Sequence, residues 1–169
     1  MYHAGVSRSL GPSLPPALQQ RLFGRELPDR MGEAILIATI DTAGRPHPAL
    51  LSYAEVVAVD ARTLRFATYR ESATAQNLRE RGAMTFCLIA PGTAYYLKAR
   101  ARELAPSETL ARFEAVVEDV LADEARAELE GAITISSGIG FRVSDPAARL
   151  AAWMAQLEDL RTAVAEPRA

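Results

Sequence analysis

The sequence predicts an α+β protein that is mainly β, an antiparallel barrel of six strands with helices around it. Apolar runs at 34–40 and 48–59 flank the turn residues Asp41-Thr42-Ala43-Gly44, which is the pattern of an antiparallel hairpin. Residues 64–69 follow the two-residue period of a strand. The predicted strands are joined by hairpins, with predicted helices inserted between some of them. This arrangement favours an antiparallel barrel over a doubly wound parallel sheet.

The remaining elements are predicted from caps and spacing. Ser72 or Thr74 can cap a helix at 73–81 that Gly82 ends, and Asp145-Pro146 can start a C-terminal helix. A longer helix is predicted from three- and four-residue steps between apolar residues, namely Leu110, Phe113, Val117, Val120 and Leu121. The full prediction comprises strands at 34–40, 48–59, 64–69, 84–90, 94–104 and 132–143, helices at 17–23, 73–81, 106–130 and from 146 onward, and a flexible tail at 1–13.

Composition excludes several classes of function. The 169 residues have a formal net charge of −2 and no basic tract typical of nucleic-acid binding. No apolar run approaches the roughly 20 residues of a membrane span. Residues 1–20 lack the apolar core of a secretory signal, so a single cytoplasmic domain is expected. Two histidines and one cysteine make a metal cluster of those residues unexpected.

The junction at residues 68–77 is the most informative part of the chain for function. The start of a helix leaves backbone N–H groups unpaired at the positive end of the helix dipole, which favours an anion. Polar side chains surround the predicted start: Thr68, Tyr69, Arg70, Ser72, Thr74 and Asn77. The sequence therefore offers a phosphate site, although serine and threonine also occur at helix starts simply because they cap them.

Three motifs occur in a recognisable order. They are the hairpin Ala34 to Pro46 with Asp-x-x-Gly-x-Pro at its turn, the segment His47-Pro48-Ala49-Leu50-Leu51-Ser52, and Phe66-Ala67-Thr68 leading through Glu71-Ser72 to Gln76-Asn77-Leu78. In these motifs segment 34–104 resembles the pyridoxamine 5′-phosphate oxidase-like superfamily, the FMN-binding split β-barrel flavoproteins. The resemblance implies a six-stranded antiparallel split β-barrel with peripheral helices. It further implies an N-terminal tail and short helix at 1–30, an FMN-binding barrel at 31–145, and a helix at 146–169 that packs on the barrel or on a dimer partner.

The resemblance also implies a flavin site at the interface of a homodimer. The isoalloxazine ring is expected along the second strand, at His47, Ala49, Leu50, Leu51 and Ser52, and the phosphate at Thr68, Tyr69, Arg70, Ser72, Thr74 and Asn77. The chain departs from the family because it lacks the basic residues that clamp the phosphate, including an Arg-Lys pair after the serine. Arg70, Arg79 or the helix start itself could compensate for this loss. Lys98 or Arg100 on the predicted strand at 94–104 could also supply the charge, although a solvated strand face is the commoner explanation of that pattern.

Two functions remain open on the sequence. The first is an FMN-dependent oxidoreductase of a small metabolite, in which the flavin carries the redox chemistry and no protein group is assigned as catalytic. The second is a non-catalytic split-barrel protein that binds a flavin, a deazaflavin or no cofactor. The family's substrate-binding C-terminal segment is absent, so oxidation of vitamin B6 is not expected.

Overall fold

A computed structural model describes residues 7–105, 107–125 and 134–165 of the chain. Within these residues one antiparallel sheet curls around a single apolar core, and the mainly β barrel predicted from the sequence is confirmed. The strands are β1 (Ser7–Ser9), β2 (Ala34–Ile40), β3 (Pro46–Ser52), β4 (Val56–Ala58), β5 (Thr63–Tyr69), β6 (Ala83–Ala90), β7 (Thr93–Glu103) and β8 (Leu110–Glu124). The helices are α1 (Pro16–Leu22), α2 (Leu27–Arg30), α3 (Ala73–Arg81) and α4 (Pro146–Thr162). None of these helices is both long and apolar enough to cross a membrane.

The order of strands explains why the sheet closes into a barrel. The order is β3-β2-β6-β7-β8-β5-β4, with β1 added on β8. β3 and β4 lie at opposite ends of this order, yet only residues 53–55 connect them. A chain of that length spans at most about 14 Å. The two ends of the sheet must therefore approach each other, and the barrel is split between β3 and β4.

The β2–β3 hairpin determines which residues of β3 face the core. Gly44 has a φ of 79°, and the Asp41 carboxylate accepts a hydrogen bond of 2.8 Å from the backbone N–H of Arg45, so the predicted turn is confirmed. Ile37 pairs with Ala49 and is fully buried, which puts His47, Ala49 and Leu51 on the core side. Pro46, Pro48, Leu50 and Ser52 lie on the opposite face of the same strand.

The helix predicted at 106–130 is wrong over Leu110–Glu124, which forms strand β8 between β7 and β5. Ala99 pairs with Val117 and Lys98 pairs with Asp119, so Glu118 is an extra residue in β8. The buried positions are consequently odd-numbered up to Val117 and even-numbered from Val120. The bulge shifts the alternation of buried and exposed residues by one position, so the apolar residues of β8 have the three- and four-residue spacing of a helix. Residues 106 and 126–130 of the predicted helix lie outside the described part of the chain.

Three other predicted elements also differ. The strand predicted at 48–59 is divided into β3 and β4 by a turn in which Glu55 N–H donates to the Ser52 carbonyl at 3.0 Å. In the predicted tail, Ser7–Ser9 pairs with β8 because an edge of that strand is free there; residues 1–6 lie outside the description.

The strand predicted at 132–143 is absent from 134–143, where one isolated bridge joins Gly140 to Glu33. Gly138 lies so close to Ile89 that an added Cβ would be 2.7 Å from Cγ1, and a Cβ added to Gly140 would be 2.9 Å from the Gly32 carbonyl oxygen. The segment therefore packs over other elements instead of forming a long ladder; residues 132 and 133 lie outside the described ranges. The described part of the chain thus has eight strands, not the predicted six.

The C-terminal helix begins where the sequence predicts. Asp145 caps α4, and its carboxylate accepts a hydrogen bond of 3.1 Å from the N–H of Ala148. Leu157 and Leu160, from the apolar stripe, are buried in the core of the same chain. α4 therefore packs on its own barrel.

Candidate functional site

At the start of α3, the Ser72 side chain caps the helix, and the first backbone N–H groups have no hydrogen-bond acceptor within the helix. Ser72 Oγ accepts the N–H of Ala75 at 3.1 Å and lies 3.3 Å from Thr68 Oγ1, while Ser72 N–H donates to the Tyr69 carbonyl. The next two N–H groups belong to Ala73 and Thr74, in the first helical turn, where no preceding turn supplies an acceptor. Ala73 is exposed. The amide of the exposed Ala73 can therefore hold an anion.

Thr74 and Asn77 face the barrel and not the solvent. Their exposures are 3% and 5%. Asn77 Nδ2 donates to Thr39 Oγ1 at 3.0 Å, and that hydroxyl donates to the His47 carbonyl at 3.4 Å. The Asn77 amide is thus used to fix α3 against β2 and β3.

β3 lies beside the junction at both of its ends. His47 is connected to Asn77 through Thr39, and Ser52 lines the same cavity as Tyr69. β3 is also the last strand on its side of the sheet, so one edge carries backbone groups that no neighbouring strand pairs. Leu50, on the outer face of β3, is 41% exposed, whereas Leu51, on the core face, is buried. The strand therefore offers both backbone groups and an apolar side chain to a flat ligand.

A cavity of about 410 Å³ lies where β3, β5 and α4 meet. Its lining residues are Ser52, Glu55, Tyr69, Phe141, Arg142, Val143, Ser144, Arg149, Trp153 and Gln156. Glu55 accepts hydrogen bonds from both Ser52 N–H, at 2.6 Å, and Ser52 Oγ, at 2.8 Å. Ser52 is thereby held by a carboxylate.

Four residues that line the cavity are not among the site residues expected from the sequence: Glu55, Arg142, Arg149 and Trp153. A glutamate three residues after a serine is an ordinary turn pattern, so it carries no functional signal. Arg149 and Trp153 reach the cavity only because α4 packs back on the barrel. No local sequence pattern could have predicted that Arg149 and Trp153 lie near Ser52.

The cations near the start of α3 differ in availability. Glu103 accepts hydrogen bonds from Arg79 Nε at 2.8 Å and Nη2 at 2.7 Å, and these bonds raise the pKa of Arg79. Arg79 is therefore neutralised by a carboxylate. Arg70 is exposed, and its guanidinium has no acceptor among the residues that the structure describes. Arg70 is thus the cation of the junction that remains available.

Within this chain, the structure does not bring Lys98 to the other candidates. Lys98 is exposed in the middle of β7, opposite Thr85 of β6. Two strands, β6 and β2, separate β7 from β3, which corresponds to about 14 Å between strand axes. Arg100 forms a 3.2 Å ion pair with Glu118 on the surface.

Comparisons with known proteins agree with this architecture. YclD of Bacillus subtilis (strain 168), an uncharacterised protein, is 28% identical over 152 residues, which are 85% of this chain and 96% of YclD. A crystal structure from Lactobacillus delbrueckii, provisionally named a pyridoxamine 5′-phosphate oxidase, superposes with a TM-score of 0.54 at 15% identity, covering 67% of this chain and 98% of that one. HupZ of Group A Streptococcus superposes with a TM-score of 0.50 at 14% identity, covering 70% and 98% of the two chains. These two likenesses establish the fold.

The match that establishes the family is one of sequence. The sequence model described as pyridoxamine 5′-phosphate oxidase matches residues 31–137, which is more than half of the chain. The matched range includes the β2–β3 hairpin and the whole strand-to-helix junction. The chain therefore belongs to the pyridoxamine 5′-phosphate oxidase family.

Proposed function

We propose that this protein is an FMN-dependent oxidoreductase acting on a small metabolite, and that it works as a homodimer. The observation that carries the proposal is the position of the exposed α3 start, which lies beside an edge strand and a cavity of small-molecule size. Unpaired amides suit a phosphate, and an edge strand with an exposed Leu50 suits a flat apolar ring. The residues present therefore fit FMN.

Each part of the site has a separate role in this proposal. The N–H group of Ala73 binds the phosphate, with Arg70 and the Ser72 hydroxyl beside it. The strand His47–Ser52 orients the ring. FMN, when bound, supplies the hydride chemistry, and the protein contributes orientation and electrostatics.

The outer face of the sheet supports the homodimer. Leu50, Leu36, Cys87 and Tyr96 occupy one row across β3, β2, β6 and β7 by strand register. Leu50 is exposed and the other three are half-buried, so the row is an apolar surface at the edge that carries the site. Burial raises the pKa of the Cys87 thiol, which suits packing and not nucleophilic chemistry. Light scattering is expected to give twice the chain mass, and Leu50→Glu is expected to give the monomer.

A second candidate function is a flavin or deazaflavin carrier without turnover. The engagement of Arg79 with Glu103 favours it, because only Arg70 among the described cations of the junction remains for a phosphate. Each charge-assisted hydrogen bond contributes about 1.5–3 kcal/mol, so such a clamp is weak in comparison with one of several cations.

A change of charge at the helix start tests the phosphate site. Ala73→Asp adds a negative charge where the helix dipole favours it, so the free energy of unfolding is expected to stay constant or rise by about 0.3–1 kcal/mol. FMN affinity is expected to fall about tenfold or more, because the carboxylate repels the phosphate. FMN fluorescence titration and thermal unfolding measure the two effects.

Ala73→Asn is the matched control, since asparagine has the shape of aspartate without its charge. It is expected to lower FMN affinity much less than Ala73→Asp. Equal losses in both variants would move the phosphate away from this helix, and a wild-type protein that leaves FMN fluorescence unchanged would end the flavoprotein proposal. With FMN bound, anaerobic bleaching of the flavin by NADH or NADPH supports the oxidoreductase, and persistent colour supports the carrier.

A further inference from the structure

Two arginines line the cavity without an acidic residue that neutralises them. Arg142 and Arg149 both line the cavity and are exposed. Neither guanidinium forms an ion pair or hydrogen bond with any residue in the described ranges. Some arginines elsewhere on the surface, such as Arg102 and Arg161, are paired with carboxylates at 2.6 and 2.9 Å, whereas others, such as Arg62, are not paired within the described residues. The cavity thus keeps its positive charge available.

The other lining residues define what such a charge can bind. Glu55 is the cavity's acidic residue, so the lining side chains leave one net positive charge. Tyr69, Phe141 and Trp153 contribute aromatic surface to the same cavity. Arginine binds a carboxylate in a bidentate, planar geometry, and aromatic side chains pack well against a planar ligand.

The arginine-bearing wall does not belong to the part of the chain that matches the family. The match covers residues 31–137, whereas Arg142, Arg149 and Trp153 follow it. Glu55, Ser52 and Tyr69, on the opposite wall, lie inside the match. The cavity is therefore formed on one side by the part of the barrel that the family model matches and on the other by the C-terminal segment that follows the match.

We infer that Arg142 and Arg149 form the substrate-anion subsite of this protein, and that its substrate is a small planar organic acid carrying a single carboxylate. The inference rests on the proposed function, because it makes this cavity the place where a substrate meets the flavin beside β3. The carboxylate binds between the two guanidinium groups, and the planar body lies against Trp153. Glu55 disfavours a second negative charge on the ligand, so a monoanionic carboxylate is preferred to a dianionic phosphate.

Trp153 is the only tryptophan of the chain, so its fluorescence reports binding in the cavity directly and without a flavin. The full-length protein is titrated with benzoate, with its neutral analogue benzamide and with phenyl phosphate. Benzoate is expected to change the fluorescence saturably, and benzamide is expected to bind about tenfold more weakly or worse.

The double variant Arg142→Ala/Arg149→Ala is expected to lose about tenfold or more in benzoate affinity while unfolding at the same temperature. Arg62→Ala is the matched control, because Arg62 is exposed, lies outside the cavity and has an unpaired guanidinium within the described residues. Its benzoate affinity is expected to equal that of the wild type.

Several results would overturn the inference. They are equal binding of benzoate and benzamide, tighter binding of phenyl phosphate than of benzoate, or unchanged benzoate affinity in the double variant. A parallel FMN titration separates this subsite from the cofactor site, since loss of FMN affinity in the double variant would assign the arginines to the cofactor phosphate. Arginine-dependent benzoate binding in a protein that ignores FMN would leave the anion subsite standing and remove the proposed function.

Discussion

The two halves of α4 show how one helix can serve stability and ligand binding separately. In the C-terminal half, Leu157 and Leu160 are buried at 3% and 0% exposure. Arg65 of β5 donates to the Arg161 carbonyl at 2.7 Å, and Arg161 itself donates to the Phe23 carbonyl at 2.6 Å. This half is fixed both by apolar burial and by hydrogen bonds to its terminal carbonyls.

The N-terminal half has a different construction. Residues 146–149 are all exposed, and the helix start depends on the Asp145 cap. Arg149 and Trp153 from this half line the cavity. Substitutions in the two halves should therefore have separable effects. Those in the C-terminal half should change the free energy of unfolding, and those in the N-terminal half should change ligand affinity.

The largest effect is expected from Leu160→Ala. Removing a fully buried side chain leaves a cavity, and the free energy of unfolding is expected to fall by about 2–5 kcal/mol. Leu160→Met, which conserves volume, is the control and is expected to cost less than about 1.5 kcal/mol. Urea unfolding measures both, and equal small losses would mean that this half does not anchor the helix.

A smaller effect is expected from Glu114→Gln, which acts on α4 through Arg65. Burial acts to raise the pKa of Glu114, but hydrogen bonds from Arg102 and Arg65 outweigh it and hold that pKa below its usual value. The variant is expected to lose about 1–3 kcal/mol at neutral pH. Glu118→Gln breaks an exposed pair with Arg100 and is the control, with an expected loss of about 0–1 kcal/mol.

The depressed pKa of Glu114 also predicts a dependence on pH. The stabilisation is fully present above the unfolded-state pKa of about 4.3 and is lost as pH falls through the lower folded-state pKa. Wild-type protein is therefore expected to lose more stability than Glu114→Gln over that acidic range. Parallel acid dependence of the two proteins, measured by urea unfolding, would contradict the role of this carboxylate.

Asp145→Ala is expected to act on the N-terminal half. It removes the cap of α4 and forces alanine into the left-handed φ of 52°, so the expected loss is about 0.5–2 kcal/mol. Benzoate affinity, measured through Trp153, is expected to fall because the first turn carries Arg149. Asp145→Asn keeps the cap and tolerates this φ, so it should retain both properties.

The smallest effect is expected from Met154→Ser. Met154 is 53% exposed on α4 and is not among the residues lining the cavity. Stability is expected to change by less than about 0.5 kcal/mol, and benzoate affinity should be unchanged. A larger loss of stability, measured by urea unfolding, would show that a partner or another part of the chain covers this side chain.

Local signals made the barrel predictable, and long-range packing limited prediction of the site. The Asp41–Gly44 turn and the Ser72 and Asp145 caps are each encoded within a few residues, and each is present in the structure. The bulge at Glu118 is visible only once β7 lies beside β8, so the alternation of β8 could not be recognised from its own sequence.

The same distinction applies within the candidate site. The hydroxyl-bearing residues of the junction at 68–77 can be recognised from the local sequence, but the direction in which each side chain points cannot. Asn77 is buried against Thr39, a residue 38 positions away, and Glu55 holds Ser52 beside a wall that comes from α4. These contacts arise from closure of the barrel.

The short connection at residues 53–55 has a consequence for the cavity. Because only three residues connect β3 to β4, these two edge strands cannot move far apart while the backbone is intact. The barrel wall of the cavity, at Ser52 and Glu55, is therefore held in place by the backbone itself, and the facing wall comes from the solvent-exposed first turns of α4.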